Sequence, residues 1–160
     1  LFIGFDNYSN INGMNWFFRE VYPMLSKSLK LLIVGKITRH VGSYPNVKTT
    51  TYIENISDAY FQSRVTINPL IDGTGVKVKL IESLAHGIPV VSTSRGLTGV
   101  PTDISGELIR VDEPAAFAGA INELLSDQAY YEKQCETAKR IFEHCFDKSV
   151  VLDRLDKIFI

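Results

Sequence analysis

A chain of 160 residues with a net charge of −1 and 45% hydrophobic content is long enough to bury the core of one domain. Its balanced charge excludes the basic face that nucleic acid requires, and apolar runs such as Leu31 to Val34 are too short to cross a bilayer. No signal peptide is visible, so the reading is cytoplasmic, and Cys135 and Cys145, without metal-ligand spacing, read as reduced thiols.

The chain opens without methionine in an apolar run, Leu1 to Phe5, and reads as a fragment whose first residues already lie in a strand. Asp6, Asn7, Ser9 and Asn10 supply turn and cap chemistry before Met14, Phe18, Val21 and Leu25 recur at helical spacing, which Pro23 should kink or end. Leu31 to Gly35 and the alternating Val47 to Ile53 predict two further strands, joined by a polar connection from Lys36 to Asn46. A short helix follows, capped at Ser57, with Ala59, Tyr60 and Phe61 turned inward.

The informative stretch runs from Val65 to Thr93. A β-branched run breaks at Asn68-Pro69, passes Gly73 and Gly75, and enters an apolar-periodic helix that Gly87 closes before another strand. A glycine loop feeding a helix N-terminus is an anion site, because unpaired N–H groups and the positive end of the dipole face the ligand. Lys77 and Lys79 are expected in the first turn from Gly75, where each opposes the dipole by about 0.3–1 kcal/mol unless an anion binds. Lys79, Glu82, Ser83 and His86 fall on one polar stripe, with Leu80, Ile81, Leu84 and Ala85 towards the buried side. A lysine for phosphate and a carboxylate for ribose hydroxyls describe nucleotide binding. The plain alternatives are an i, i+3 surface ion pair between Lys79 and Glu82, worth about 0.2–0.5 kcal/mol, a helix C-terminal cation at His86, and ordinary turns at Gly73 and Gly75.

Ser94 to Pro101 form a loop with Gly96 and Gly99, and Gly106 to Val111 a last strand. Pro114, after Asp112, opens a helix that carries Phe117, Ala120, Ile121, Leu124 and Leu125 on one face. Asp127 caps the next helix, whose Tyr131, Cys135, Ala138, Phe142 and Cys145 share a seam, and a final helical segment carries Val151, Leu155, Ile158 and Phe159. Alternating strands and helices imply an α/β fold: a Rossmann-like, doubly wound parallel sheet of about six strands with helices on both faces and additional C-terminal helices. With strand order 3-2-1-4-5-6, the loops Asp6 to Asn10 and Asn68 to Gly75 meet at the topological switch point, where ligands bind.

The segment Gly75 to Val91, with Lys79 three before Glu82 and then Ala85, His86, Gly87, Ile88, Pro89, Val90 and Val91, resembles the donor-nucleotide signature of GT-B fold glycosyltransferases. The match is to the retaining family 4, glycosyl transferases group 1, with Ser83 where alanine is usual. Asn10 to Phe17 is similar to the family's opening strand-to-helix segment, and Glu113 to Asp127 to its stretch after the nucleotide site. The resemblance implies that Glu82 holds the ribose and Lys79 faces the diphosphate, as the two residues carrying the chemistry. Asn10, Gly73, Thr74, Gly75, Lys77 and Ser83 would surround the same donor. Thr74 stands where the family often has a glutamate eight before Glu82, and Thr98 where many relatives carry one in G-x-E-G.

By this resemblance residues 1–160 are the nucleotide-sugar-binding, C-terminal half of an enzyme whose N-terminal acceptor domain is absent from this chain. The implied reaction is hexosyl transfer, with retention, from a nucleotide diphosphate-sugar to an acceptor hydroxyl in glycan or polysaccharide biosynthesis. No metal is expected. A glycan or lipid-linked acceptor would enter through the N-terminal half, membrane contact would be peripheral at most, and the fragment alone would be inactive. The last helix would cross towards that half, so Leu155 and Phe159 are expected to meet it. Thr74 and Thr98 also motivate a noncatalytic binding or assembly module of the same fold. A nucleotide-sugar epimerase is a third reading, distinguished by histidine and acidic proton-transfer residues in the other half. A dehydrogenase is disfavoured, because no G-x-G-x-x-G follows the first strand.

Overall fold

The computed structural model describes residues 1–159, excluding the side chains at 102, 103, 154, 155 and 157–159. Its strands form two parallel three-stranded sheets. In one, β2 (Leu31–Val34) pairs with β1 (Phe2–Ile3) and with β3 (Val47–Thr50). In the other, β5 (Val90–Ser92) pairs with β4 (Thr66–Asn68) and with β6 (Ile109–Arg110). The sheets meet at β1 and β4: the Leu1 amine donates to Val65 O at 2.8 Å, and Ile67 N–H donates to Leu1 O at 2.9 Å. Read across both, the order is 3-2-1-4-5-6, the order taken above, and the switch point lies between β1 and β4.

Helices cover both faces because the strands are apolar on both. On one face Phe17, Val21, Ile33, Phe117 and Leu124 are packed under α1 (Tyr8–Trp16) and α5 (Pro114–Ser126). On the other, Leu80 and Leu84 of α3 (Val78–Ala85) meet Ala138 and Ile141 of α6 (Gln128–Cys145) across Val90. Tyr60 and Ala59 of α2 (Ile56–Phe61) pack on Val34 and Ile88. α7 (Lys148–Phe159) ends the described chain, and the expected contacts of Leu155 and Phe159 lie outside the described residues.

Several local expectations are corrected. The first helix stops at Trp16, continues as a π-helical turn over Phe17–Val21, and ends in a 3₁₀ turn that contains Pro23. Its N-cap is Asn7, whose side chain accepts from Asn10 N–H at 2.9 Å, so Asn10 lies inside the first turn and is buried. Asn55 rather than Ser57 caps α2, accepting from the Ser57 N–H, because only Asn55 has the extended backbone of a cap. Phe61 faces outward, 75% exposed, since adjacent helical residues point about 100° apart and the inward side is taken by Tyr60. Leu125 and Ala85 are likewise exposed rather than packed. A short helix not read from the sequence, α4 (Thr102–Ser105), precedes β6.

Candidate functional site

The loops after β1, β4 and β5 converge at the C-terminal ends of the strands. Gly13 lets α1 approach the β4 loop closely: a Cβ there would lie 2.7 Å from Pro69 O and 3.2 Å from Leu70 Cα. The β4 and β5 loops are tied by Asn68 Nδ2 donating to Gly96 O at 2.9 Å and by the Thr93 hydroxyl donating to Leu70 O.

α3 begins at Val78, not at Gly75. Gly73 and Gly75 have φ of +91° and +74°, and Lys77 is extended with φ −93° and ψ 115°, so the backbone becomes helical only after Lys77. Lys77 therefore occupies the N-cap position instead of the first turn. Its ammonium folds back over the loop and donates to Thr74 O at 2.9 Å and Gly75 O at 2.8 Å. No side chain caps the helix and no acidic residue lies in its first turn. The helix end is thus open to an anion.

In that first turn Lys79 is drawn inward beside the buried Leu80. Its Nζ donates to Asn10 Oδ1 at 2.6 Å and lies 4.0 Å from the centroid of the Phe2 ring. Asn10 is itself fixed, its Nδ2 donating to Phe5 O at 2.9 Å. Burial, and then the Lys77 charge, lowers the Lys79 pKa from 10.5 to about 7. None of the ion pairs among the described residues includes Lys77 or Lys79. Nor do Lys79 and Glu82 form the surface pair that their spacing allows, since each has found another partner.

Glu82 is half-buried and accepts from the Tyr60 hydroxyl, Oε2 to OH, at 2.9 Å. Burial, followed by the Glu82 charge, raises the Tyr60 pKa, so the phenol stays a donor. Tyr60→Phe is expected to lower stability by about 1 kcal/mol, measured by urea unfolding, while leaving Glu82 in place. An unchanged midpoint would mean that this bond is not formed in solution. The rest of the stripe is structural. Ser83 is wholly buried and bonds Thr66 Oγ1 at 2.5 Å and Ile88 O at 3.0 Å, so its hydroxyl does not face the loop. The His86 ring contacts Glu82 O at 2.7 Å and Ser57 Oγ at 3.1 Å and stacks on Tyr60, with centroids 4.5 Å apart. The ring thus closes the end of α3 through Glu82 O.

The structure thus brings Asn10 to Lys79, and Lys77 to Gly73, Thr74 and Gly75, with Thr74 exposed on the loop and Glu82 one turn along α3 on Tyr60. Sequence reasoning missed Tyr60, Asp72 and Arg95. Asp72 accepts from Asn12 Nδ2 at 2.8 Å, and the Ser9 hydroxyl and Asn12 amide, ahead of Lys77 and Arg95, hold its carboxyl below the usual range. Tyr60 lies 22 residues from Glu82, beyond any helical spacing. Among the described residues no group of three or more His, Cys, Asp or Glu is placed to hold a metal ion.

Residues 1–127 match the family model described as glycosyl transferases group 1. A Klebsiella pneumoniae protein described as an uncharacterized 44.6 kDa protein in the cps region is 29% identical over 125 residues, covering 69% of this chain and 32% of that protein. The fold is similar to the crystal structure of Anabaena Alr3699/HepE in complex with UDP, with a TM-score of 0.71 and 14% identity over 99% of this chain and 48% of that one. A glycosyltransferase from Rickettsia africae ESF-5 gives a TM-score of 0.67 and 16% identity over 99% of this chain and 46% of that one. The chain thus spans about a third of the curated relative and about half of each solved structure.

Proposed function

The chain belongs to the glycosyl transferases group 1 family and folds as one Rossmann-like half of a GT-B glycosyltransferase, and from that premise we propose that it is the C-terminal, donor-binding half. The reaction is transfer of a hexosyl group from a nucleotide diphosphate-sugar to an acceptor hydroxyl, with retention, in capsule or related polysaccharide synthesis. The observation that carries this reading is Lys79, an ammonium withdrawn from water onto a neutral amide and a ring face at the start of an uncapped helix. A buried cation without an anion is costly, and a diphosphate is the partner it lacks.

Glu82, one turn along the helix, accepts from the ribose hydroxyls with the carboxylate oxygen that Tyr60 leaves available. Lys79, Lys77 and the first N–H groups of α3 stabilise the diphosphate as it departs with growing negative charge, work that protein cations do without a metal. The solved relative complexed with UDP supports a nucleotide ligand, and the relative in a cps region supports polysaccharide synthesis. Acceptor binding belongs to the other half of the enzyme, a glycan or lipid-linked acceptor being brought to the crevice from that side. No helix among the described residues is long and apolar enough to cross a membrane.

Thermal unfolding with UDP, GDP, ADP and dTDP tests this. One nucleotide at about ten times its Kd should add about 1.4 kcal/mol, and Glu82→Gln, which keeps an acceptor for Tyr60, should abolish the shift. No response to any of them refutes the donor site in this chain. Sugar transfer by the 160-residue chain alone would contradict the assignment of the acceptor side to the other half.

A further inference from the structure

A cavity of about 460 Å³ opens beside the Gly73–Gly75 loop, lined by Leu70, Thr93, Ser94, Arg95, Thr98 and Asp112. Its walls are contiguous with the candidate donor site: a Cβ on Gly99 would lie 2.9 Å from Val76 N, so the β5 loop rests on the loop that carries Lys77. The charges around it are unequal. Asp112 is engaged by Ser94, whose N–H and hydroxyl donate at 2.7 and 2.6 Å, and Asp72 by Asn12. Arg95 is exposed and enters none of the ion pairs among the described residues, its charge reaching Asp72 only at a distance, behind the Ser9 and Asn12 hydrogen bonds that hold that carboxylate.

Arg95 lies on the Lys77 side of the site, because Gly99 of its own loop packs on Val76, next to Lys77, while Lys79 is turned inward onto Asn10. A donor whose ribose sits at Glu82 and whose diphosphate spans Lys79 and Lys77 therefore projects its transferred group towards Arg95. The diphosphate already has its counter-charges in the two lysines and the helix end, so Arg95 is left to meet a separate anion. We propose that the cavity receives an anionic substituent on the transferred sugar, a carboxylate as in a hexuronate, and that Arg95 selects it. A guanidinium fork matches a carboxylate in two parallel hydrogen bonds, and the Ser94 and Thr98 hydroxyls can meet neutral sugar hydroxyls beside it. This rests on the donor-site reading above.

The test is calorimetric titration of this chain and of Arg95→Gln with UDP, UDP-glucose and UDP-glucuronate, the two sugars differing only in hydroxymethyl or carboxylate at C6. The native chain should bind the glucuronate about tenfold more tightly than the glucose, and the variant should lose that preference while its affinity for UDP is unchanged. Equal affinity for the two sugars, or a variant that loses UDP as strongly as UDP-glucuronate, overturns the assignment of Arg95 to the sugar. In either case UDP binding by the native chain keeps the donor site intact. Absence of UDP binding to the native chain overturns the Arg95 assignment, whereas the donor site falls only if GDP, ADP and dTDP fail to bind as well.

Discussion

Lys79→Met should make the nucleotide-free chain more stable and at the same time abolish its response to nucleotide. Burial, with Lys77 as the lesser cause, lowers the Lys79 pKa to about 7 from 10.5. Each unit corresponds to about 1.4 kcal/mol, so holding the charged form costs several kcal/mol. Methionine fits the apolar path past Phe2 but leaves Asn10 Oδ1 without its donor, a loss of about 1–3 kcal/mol. The net expectation is a gain of about 1–2 kcal/mol in urea unfolding at slightly acid pH. Because the folded pKa lies below the unfolded one, the penalty is complete below about 7 and fades as pH rises towards 10.5; the variant's advantage must fade with it. A variant less stable than its parent at acid pH would show that the ammonium supports the fold instead of burdening it. Diphosphate requires the charged lysine, so above about pH 7 nucleotide binding should draw in a proton. Calorimetry in buffers of different ionisation enthalpy measures that uptake.

Gly35→Ala should have the other large effect, in the opposite direction, with a cost of about 3 kcal/mol or more, a large fraction of the stability of a domain this size. Gly35 follows β2 with φ +107°, a region that a side chain rarely enters, and its Cβ would overlap the Gly4 carbonyl oxygen. That carbonyl cannot retreat. It accepts from Ile37 N–H at 3.2 Å, Gly4 N–H donates to Val34 O at 3.0 Å, and Gly35 N–H donates to Thr50 O at 2.9 Å, so three strands converge there. Displacing Gly4 also shifts the turn that holds Asn10 against Lys79. Gly75→Ala is the natural control: its φ is +74°, but nothing lies within 4 Å of the added carbon, so only the backbone term of about 1–2 kcal/mol applies. Similar melting temperatures for the two variants would mean that crowding at Gly4 is not the cause.

Much of the fold can be read from neighbours two to four residues apart. The β-branched and apolar runs at Leu31 and Val65, the helical faces of α3 and α5, Pro114 at the start of α5 and the Asp127 cap that accepts from Tyr130 N–H are local patterns, and they recur in the structure. The alternation of strands and helices implied a parallel sheet, but the strand order, with its switch point between the first and fourth strands, was an assumption that only the folded chain decides. Helix ends were less legible. Asn55, Ser57, Asn7 and Asn10 are all plausible caps by residue type, and only the backbone angles of the folded chain decide among them.

For the site, the sequence alone determined the types and the spacing: glycines that turn the loop, Lys79 and Glu82 one turn apart, and an uncompensated helix end. The tertiary structure decided what each of those side chains touches. Lys77 was free to follow the helix but folds back on the loop carbonyls, Ser83 faces Thr66 instead of solvent, and Tyr60, from a separate helix, takes one oxygen of Glu82. Arg95 enters only because the loops after β4 and β5 are packed together through Gly99 and Val76. Periodicity fixes which side of a helix a residue occupies, because it depends on neighbours three and four apart. The partner on that side depends on strand order and helix rotation, which are set by packing contacts distant in sequence.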